Sequence, residues 1–141
     1  MIYEAKFLGA SAVLLICSVL DEDTIRKYIG ICDELGLSAL VETHDENEVK
    51  SALNAGARMI GVNNRNLKDF SVDTKLSQTL RSKINSDVIY VSESGIRNAS
   101  DIEQLRHAGV NAVLIGETLM RAFNKTEKLK ELKGQIDYLS V

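Results

Sequence analysis

The chain has 141 residues, 45% hydrophobic and 26% charged, a composition that suits one globular domain and excludes a disordered or collagen-like chain. Its 17 basic and 20 acidic residues give a net charge of −3, and the lysines are scattered among acids, so no nucleic-acid partner is expected. The longest apolar run, residues 12–17, is far shorter than the roughly 20 residues of a membrane helix, and no signal-peptide pattern is present. We therefore expect a cytoplasmic protein with no membrane partner and one domain over residues 1–141, with Cys17 and Cys32 as reduced core thiols.

A sequence pattern in which a glycine turn precedes a short apolar stretch occurs four times along the chain. Each glycine is typical of the C′ position that ends a helix, and each apolar stretch predicts a buried strand. A fifth apolar stretch, residues 88–91, follows a polar turn at residues 85–87. The glycines are Gly9, Gly36, Gly56 and Gly109, and the strands after them are predicted at residues 12–17, 39–42, 59–62 and 112–115.

Helical patterns fill the segments between these strands. Apolar residues recur three or four positions apart, and a capping residue precedes most of these patterns. The first predicted helix runs from Asp21 or Asp23 to Leu35, and the second begins after Asp45, with Glu48 as its capping-box partner. The third contains Leu76, Leu80 and Ile84, and the fourth begins after Asn98 or Ser100. The fifth is a short helix from Thr118 to Met120, and the last contains Leu129, Leu132 and Ile136.

The fivefold alternation of strand and helix predicts an α/β fold with a parallel sheet. The strands are almost continuously apolar, as expected when both faces of a sheet are covered. Two arrangements satisfy this pattern: part of a TIM (β/α)8 barrel with five sequential βα units, or an open, doubly wound, flavodoxin-like sheet. A complete barrel needs about 200–250 residues, so a chain of 141 residues cannot close one alone.

In both arrangements ligands bind at the carboxyl ends of the strands, where this chain carries several polar residues. Glu42 directly follows three apolar residues, so burial can raise the pKa of its carboxyl for acid–base catalysis, and Glu93 is interpreted in the same way. The alternative for each is a helix cap or an ion pair. Asn63 suits either a hydrogen bond to substrate or a turn cap. Arg65 suits either anion binding or a surface ion pair. His44 could assist proton transfer, but a solvated loop position or a helix-cap role is favoured.

Two glycine-containing loops follow the last two predicted strands. Ser94 and Gly95 form one, and Gly116 and Glu117 form the other. In a barrel these loops, with the start of a short helix, often bind phosphate through free backbone N–H groups, whereas ordinary turns are the alternative. No spacing of histidines, cysteines and acids predicts a metal site.

Four motifs at these strand ends resemble those of indole-3-glycerol phosphate synthase. They occur in the order and spacing of that family, and the resemblance covers nearly the whole chain. It matches strands four to eight of the family's barrel, and residues 2–5 resemble the helix after the third strand. The motifs are Leu-Val-Glu-Thr-His at 40–44, Ile-Gly-Val-Asn-Asn-Arg-Asn-Leu at 60–67, Val-Ser-Glu-Ser-Gly-Ile at 91–96 and Leu-Ile-Gly-Glu-Thr-Leu-Met-Arg at 114–121.

The resemblance implies a lyase of tryptophan biosynthesis that needs no cofactor. Its substrate would be the sugar phosphate 1-(2-carboxyphenylamino)-1-deoxyribulose 5-phosphate, converted to indole-3-glycerol phosphate, CO2 and water. By the same resemblance, Glu42 would act as general base, Asn63 would orient the substrate, and Glu93 would face it. The substrate- and phosphate-binding positions would be Arg65, Ser94, Gly95, Gly116 and Glu117.

The sequence also departs from that family. The family's catalytic lysines lie on its first and third strands, in motifs that this sequence does not contain, so the chain is expected to be inactive alone. The alternative is a non-catalytic α/β module that binds phosphate or self-associates, and the motif at residues 63–67 argues against a phosphoribosylanthranilate isomerase relative. Because five strands expose two apolar sheet edges and an inner face, we expect a homodimer.

Overall fold

The computed structural model describes residues 1–134, in which strands and helices alternate as predicted. None of the helices in this range is long and apolar enough to cross a membrane. The elements are α1 (Ile2–Phe7), β1 (Ala12–Ile16), α2 (Glu22–Leu35), β2 (Ser38–Thr43), α3 (Glu46–Asn54), β3 (Met59–Asn63), α4 (Leu76–Leu80) with a 3-10 turn at Arg81–Lys83, β4 (Ile89–Glu93), α5 (Ala99–His107), β5 (Ala112–Leu114), α6 (Glu117–Arg121) and α7 (Lys125–Lys133).

The five strands form one parallel sheet in the order β1-β2-β3-β4-β5. Each strand therefore pairs with its neighbour in sequence, as successive strands of a (β/α)8 barrel do. A flavodoxin-like sheet instead has the order 2-1-3-4-5, so the open, doubly wound alternative is wrong. The α/β class and the partial barrel of five βα units are confirmed.

The two faces of the sheet differ in what covers them, because alternate residues of a strand point to opposite sides. On one face Val41, Ile60 and Tyr90 are fully buried in the core formed with the helices. On the other, which we call the inner face, Leu14, Ile89 and Leu114 are 45%, 49% and 52% exposed. The inner face corresponds to the interior of a barrel and presents apolar side chains to solvent.

The predicted helix starts are confirmed, because capping depends on residues close in sequence. The side chains of Asp21, Asp45 and Asn98 each accept a hydrogen bond from a backbone N–H in the first turn of α2, α3 and α5. Asn98 also takes part in a reciprocal capping box. At α3 the Glu48 carboxylate accepts from the backbone N–H of His44, one residue before the N-cap Asp45, so the predicted capping box is shifted by one residue.

The α4 helix ends earlier than its apolar spacing indicates. Ile84 does not extend α4: it has φ −109° and ψ 129° and follows the 3-10 turn. Arg81 accounts for this end, since its guanidinium donates to the carbonyl of Ile84 at 2.7 Å and to that of Gly109 at 2.9 Å. The last helix, α7, ends at Lys133, and its C-cap Gly134 has φ +66°. Ile136, predicted to continue that helix, lies outside the described residues.

Candidate active site

Two glutamates lie side by side on the inner face, near the carboxyl ends of β2 and β4. Glu42 and Glu93 are only 5% and 3% exposed, and β3 runs between them. On β3, Gly61 pairs with Glu42, and a Cβ added to Gly61 would overlap Oε1 of Glu93. The Glu93 carboxyl therefore lies over Gly61 and reaches toward Glu42.

This proximity changes the acid–base behaviour of Glu93. Burial, and then the negative charge of Glu42, raise the pKa of Glu93 from 4.5 to about 8. At neutral pH Glu93 therefore retains its proton. The protonated carboxyl can donate a hydrogen bond to Glu42, and this contact also raises the pKa of Glu93.

His44 lies between Glu42, on β2, and Glu48, in the first turn of α3. Its Nε2 is 3.3 Å from Oε1 of Glu42, and its Nδ1 is 3.2 Å from Oε2 of Glu48. The side chain is only 17% exposed. The expectation of a solvated loop residue is therefore wrong: the imidazole lies between the two carboxylates, and its buried Nε2 has no hydrogen-bond partner within residues 1–134.

Asn63 caps a turn and Arg65 forms an ion pair, which are the predicted alternatives to binding a substrate and an anion. The Asn63 side-chain oxygen accepts from the backbone N–H of Arg65 at 3.0 Å, which caps the turn after β3. The Arg65 guanidinium binds the Glu117 carboxylate at 2.5 Å, joining the loop after β3 to the start of α6. Arg65 and Arg121 hold the pKa of Glu117 below its usual value. These contacts neutralise the acid that begins α6, next to the loop after β5.

The two glycine-containing loops meet beside Glu93. Ser94 and Gly95 both have positive φ, +65° and +79°, and Gly116 is the N-cap of α6. The hydroxyl of Thr118 donates to the carbonyl of Ile96 at 2.5 Å, which ties the two loops together. A cavity of about 850 Å³ opens between them. Its lining includes Arg65, Glu93, Ser94, Gly95, Arg97, Gly116, Glu117, Arg121 and Lys128.

Three of the cations that line this cavity were not predicted from the sequence. Arg97 follows the first glycine loop, Arg121 ends α6, and Lys128 belongs to α7. Arg97 and Arg121 each lie within five residues of a glycine already singled out, which was a usable signal. Lys128 stands in a run of lysines and acids that resembles an ordinary solvated helix face, so its sequence carried no signal.

The eight predicted site residues all lie at the same edge of the sheet, but in two groups. Six of them line the cavity between the glycine loops: Arg65, Glu93, Ser94, Gly95, Gly116 and Glu117. Asn63 lines a neighbouring groove together with His44, and Glu42 is covered by its neighbours. Within residues 1–134, no group of three or more histidine, cysteine or acidic residues is arranged to hold a metal ion.

Comparison with known sequences decides the family. The family model described as indole-3-glycerol phosphate synthase matches residues 1–132. The chain belongs to this family. The synthase of Ruminiclostridium cellulolyticum is 60% identical over 133 residues, which are 94% of this chain and 51% of that protein. The synthase of Lachnoclostridium phytofermentans is 54% identical over 133 residues, covering 94% and 49% of the two chains.

The chain thus spans about half the length of the curated synthases that it matches. Solved structures show the same fold at low identity. Thiamine phosphate pyrophosphorylase from Pyrococcus furiosus matches with a TM-score of 0.74 at 18% identity, over 94% of this chain and 62% of that one. The 3-hexulose-6-phosphate synthase from Salmonella typhimurium matches with a TM-score of 0.71 at 19% identity, over 92% and 64%. These likenesses confirm the partial TIM-barrel fold.

Proposed function

We propose that this chain forms the strand-four to strand-eight portion of an indole-3-glycerol phosphate synthase active site. Membership of the synthase family supports the proposal, and the observation that carries it is the buried pair of Glu42 and Glu93 beside the phosphate loops. The reaction would convert 1-(2-carboxyphenylamino)-1-deoxyribulose 5-phosphate to indole-3-glycerol phosphate, CO2 and water. A cytoplasmic location accompanies the proposal, since phosphorylated intermediates do not cross membranes unaided.

The two carboxyl groups suit opposite roles in this chemistry. Ring closure forms a carbon–carbon bond, releases CO2 and eliminates water, so one group must protonate the departing oxygen and another must accept the proton lost as the indole forms. Glu93 retains a proton at neutral pH and suits the donor role. Glu42, next to His44, is assigned the general-base role, and Asn63 is assigned to orient the substrate.

We assign the phosphate group of the substrate to the cavity between the two glycine loops. Backbone N–H groups of Ser94, Gly95, Gly116 and Glu117 would bind it. Four cations line the cavity, and they outnumber the ionised Glu117, with which Arg65 and Arg121 pair. The ion pair of Arg65 with Glu117 removes the negative charge that would otherwise repel phosphate. The carboxyl pair and the phosphate loops are adjacent, because Glu93 directly precedes Ser94.

Residues 1–141 by themselves are expected not to turn over the substrate. The lysine-bearing motifs of the family are not in this sequence, and general acid–base groups are commonly worth about 10²–10⁴-fold each. Turnover by the purified 141-residue chain, abolished by Glu42→Gln, would contradict this part of the proposal.

A chimeric enzyme tests the assignment of the reaction. The segment of the Ruminiclostridium cellulolyticum synthase that precedes its matched region would be joined to this chain, and formation of indole-3-glycerol phosphate measured. We expect turnover that falls by about 10²-fold or more in Glu42→Gln. The control is Glu46→Gln, since Glu46 is an exposed residue paired with Lys83 on the outer layer. A folded chimera without turnover, or with turnover indifferent to Glu42→Gln, would refute the assignment.

The second candidate function, a self-associating module, is favoured by the open inner face. Leu14 and Leu114 lie on the two edge strands of the described sheet, and both are about half exposed. Apolar edges and faces of this kind pair readily with a second copy. We therefore retain the homodimer as a proposal for the 141-residue chain.

A further inference from the structure

Asn64 is a buried amide beneath the proposed phosphate site, with every hydrogen-bonding position of its side chain in use. It directly follows β3 and is 3% exposed. Its Nδ2 donates to the carbonyl of Ser94 at 3.1 Å and to the Ser92 hydroxyl at 3.2 Å. Its Oδ1 accepts from the backbone N–H of Ser77 at 3.1 Å and from the Ser77 hydroxyl at 2.8 Å. An asparagine amide has two donors and two acceptor positions, so this side chain is saturated.

The backbone of Asn64 makes two more connections. Its N–H donates to the carbonyl of Glu93 at 2.9 Å, and its carbonyl accepts from the N–H of Asp73 at 2.9 Å. One residue therefore joins the end of β4, the long loop after β3 and the start of α4. Asn63, its neighbour in sequence, makes one side-chain hydrogen bond within its own turn. This difference indicates that the two asparagines serve different purposes.

Asn64 binds the Ser94–Gly95 turn, which has an unusual backbone conformation. Ser94 has φ +65°, a left-handed region that costs a residue with a Cβ about 1 kcal/mol or more. Gly95 follows with φ +79°. The amide of Asn64 binds the Ser94 carbonyl directly, which stabilises this conformation against the extended alternatives that serine prefers.

We propose that Asn64 is a positioning residue for phosphate binding: its side-chain amide fixes the left-handed Ser94–Gly95 turn that presents backbone N–H groups to the substrate phosphate. The inference rests on the proposed function, because it assigns phosphate to this turn. Asn64 itself does not line the 850 Å³ cavity, so it acts through Ser94 and not by direct contact.

Ser77 supplies a matched control within the same buried network. Its hydroxyl binds Asn64 Oδ1 and lies 2.8 Å from the Ser92 hydroxyl, so Ser77→Ala removes buried hydrogen bonds too. It leaves the bond from Asn64 Nδ2 to the Ser94 carbonyl intact, and the backbone N–H of Ser77 still donates to Asn64. A purely structural role for the network predicts similar effects from both changes. A positioning role predicts that the Asn64 variants alone weaken phosphate binding.

The experiment titrates inorganic phosphate into the ¹⁵N-labelled 141-residue chain and follows the amide signals of Ser94 and Gly95. The first variant, Asn64→Asp, keeps the acceptor oxygen and loses both N–H donors. The second, Asn64→Ala, avoids the buried carboxylate that the first introduces and that can prevent folding. Ser77→Ala is the control. We expect the Asn64 variants to shift the Ser94 and Gly95 signals before phosphate is added and to weaken phosphate binding at least 10-fold. The phosphate affinity of Ser77→Ala should stay within about 2-fold of that of the unmodified chain. Thermal melts check that every variant is folded.

The outcomes separate this inference from the proposed function. An unmodified chain that binds phosphate normally, with folded Asn64 variants that bind equally well, overturns the inference alone. Equal weakening by Ser77→Ala and the Asn64 variants also overturns it, since a general loss of structure then explains both. An unmodified chain without any phosphate response at Gly95 overturns the proposed phosphate site and the inference with it.

Discussion

The carboxyl group of Glu93 occupies the space that a side chain on Gly61 would fill. A Cβ at Gly61 would overlap Glu93 Oε1 and lie 3.3 Å from Cδ1 of Leu40. The φ of Gly61 is not in the left-handed region, so the backbone there would accept alanine. Gly61 is therefore needed for space: its missing side chain lets two buried carboxyl groups from β2 and β4 meet across β3.

We predict that Gly61→Ala displaces Glu93 and disrupts the carboxyl pair. Overpacking of a buried site typically costs about 1–3 kcal/mol, and the chimeric enzyme should lose activity along with this stability. Urea unfolding and the chimera assay measure the two effects. Gly30→Ala is the matched control, because Gly30 lies within α2 with no atom near its added Cβ. That change should stabilise the chain by about 0.5–1 kcal/mol; a Gly61→Ala chain as stable and active as Gly30→Ala would refute the steric role.

The raised pKa of Glu93 predicts how stability depends on pH. The folded chain holds this proton up to about pH 8, whereas the unfolded chain releases it near 4.5. Unfolding therefore releases a proton between these values, and the Glu93 contribution to stability is lost as pH rises from about 4.5 to 8. The loss is on the order of a few kcal/mol. Unfolding at pH 5, 7 and 9 should show this decline in the unmodified chain and a flatter profile in Glu93→Gln; parallel profiles would contradict the prediction.

The two loop glycines are predicted to differ in their tolerance of alanine. A Cβ at Gly95 would lie 2.6 Å from Cγ1 of Val72 and 2.9 Å from Cγ2 of Thr74, at a φ of +79°. At Gly116 no atom lies within 4 Å and φ is −106°. Gly95→Ala should therefore cost more than 1 kcal/mol through strain and overpacking, and Gly116→Ala less than about 0.5 kcal/mol. Thermal melts of the two variants make the comparison, and equal melting temperatures would count against it.

The exposed inner face predicts that the 141-residue chain dimerises. Sedimentation at micromolar concentration should give a mass near twice that of the 15.5 kDa chain. Leu14→Lys, on the edge strand β1, should shift the equilibrium toward monomer, because a lysine at a sheet edge opposes pairing. Leu129→Lys, on α7, is the control, since Leu129 is equally exposed at 45%. A folded monomer of the unmodified chain would rule the dimer out.

Features set by neighbouring residues could be predicted from the sequence. Asp21 and Asn98 cap helices as expected, because the groups they bind lie three residues away. The rim position of Glu42 and Glu93 also followed, since the carboxyl ends of parallel strands share one edge of the sheet. In each case the deciding interaction is local or is imposed by strand direction.

Features set by distant residues could not be predicted. The end of α4 depends on Arg81 reaching the carbonyl of Gly109, 28 residues along the chain. The burial of His44 depends on strand ends that converge in space. The saturated amide of Asn64 depends on Ser77 and Ser94, which one sequence gives no reason to pair.

The titration of Glu93 tests the carboxyl pair most directly. Carbon-13 NMR of the glutamate side-chain carboxyls would follow Glu93 from pH 4 to 10 in the unmodified chain and in Glu42→Gln. We expect Glu93 to titrate at about pH 8 in the unmodified chain and at a clearly lower pH once the negative charge of Glu42 is removed. Titration of Glu93 at the ordinary glutamate value in both chains would contradict it.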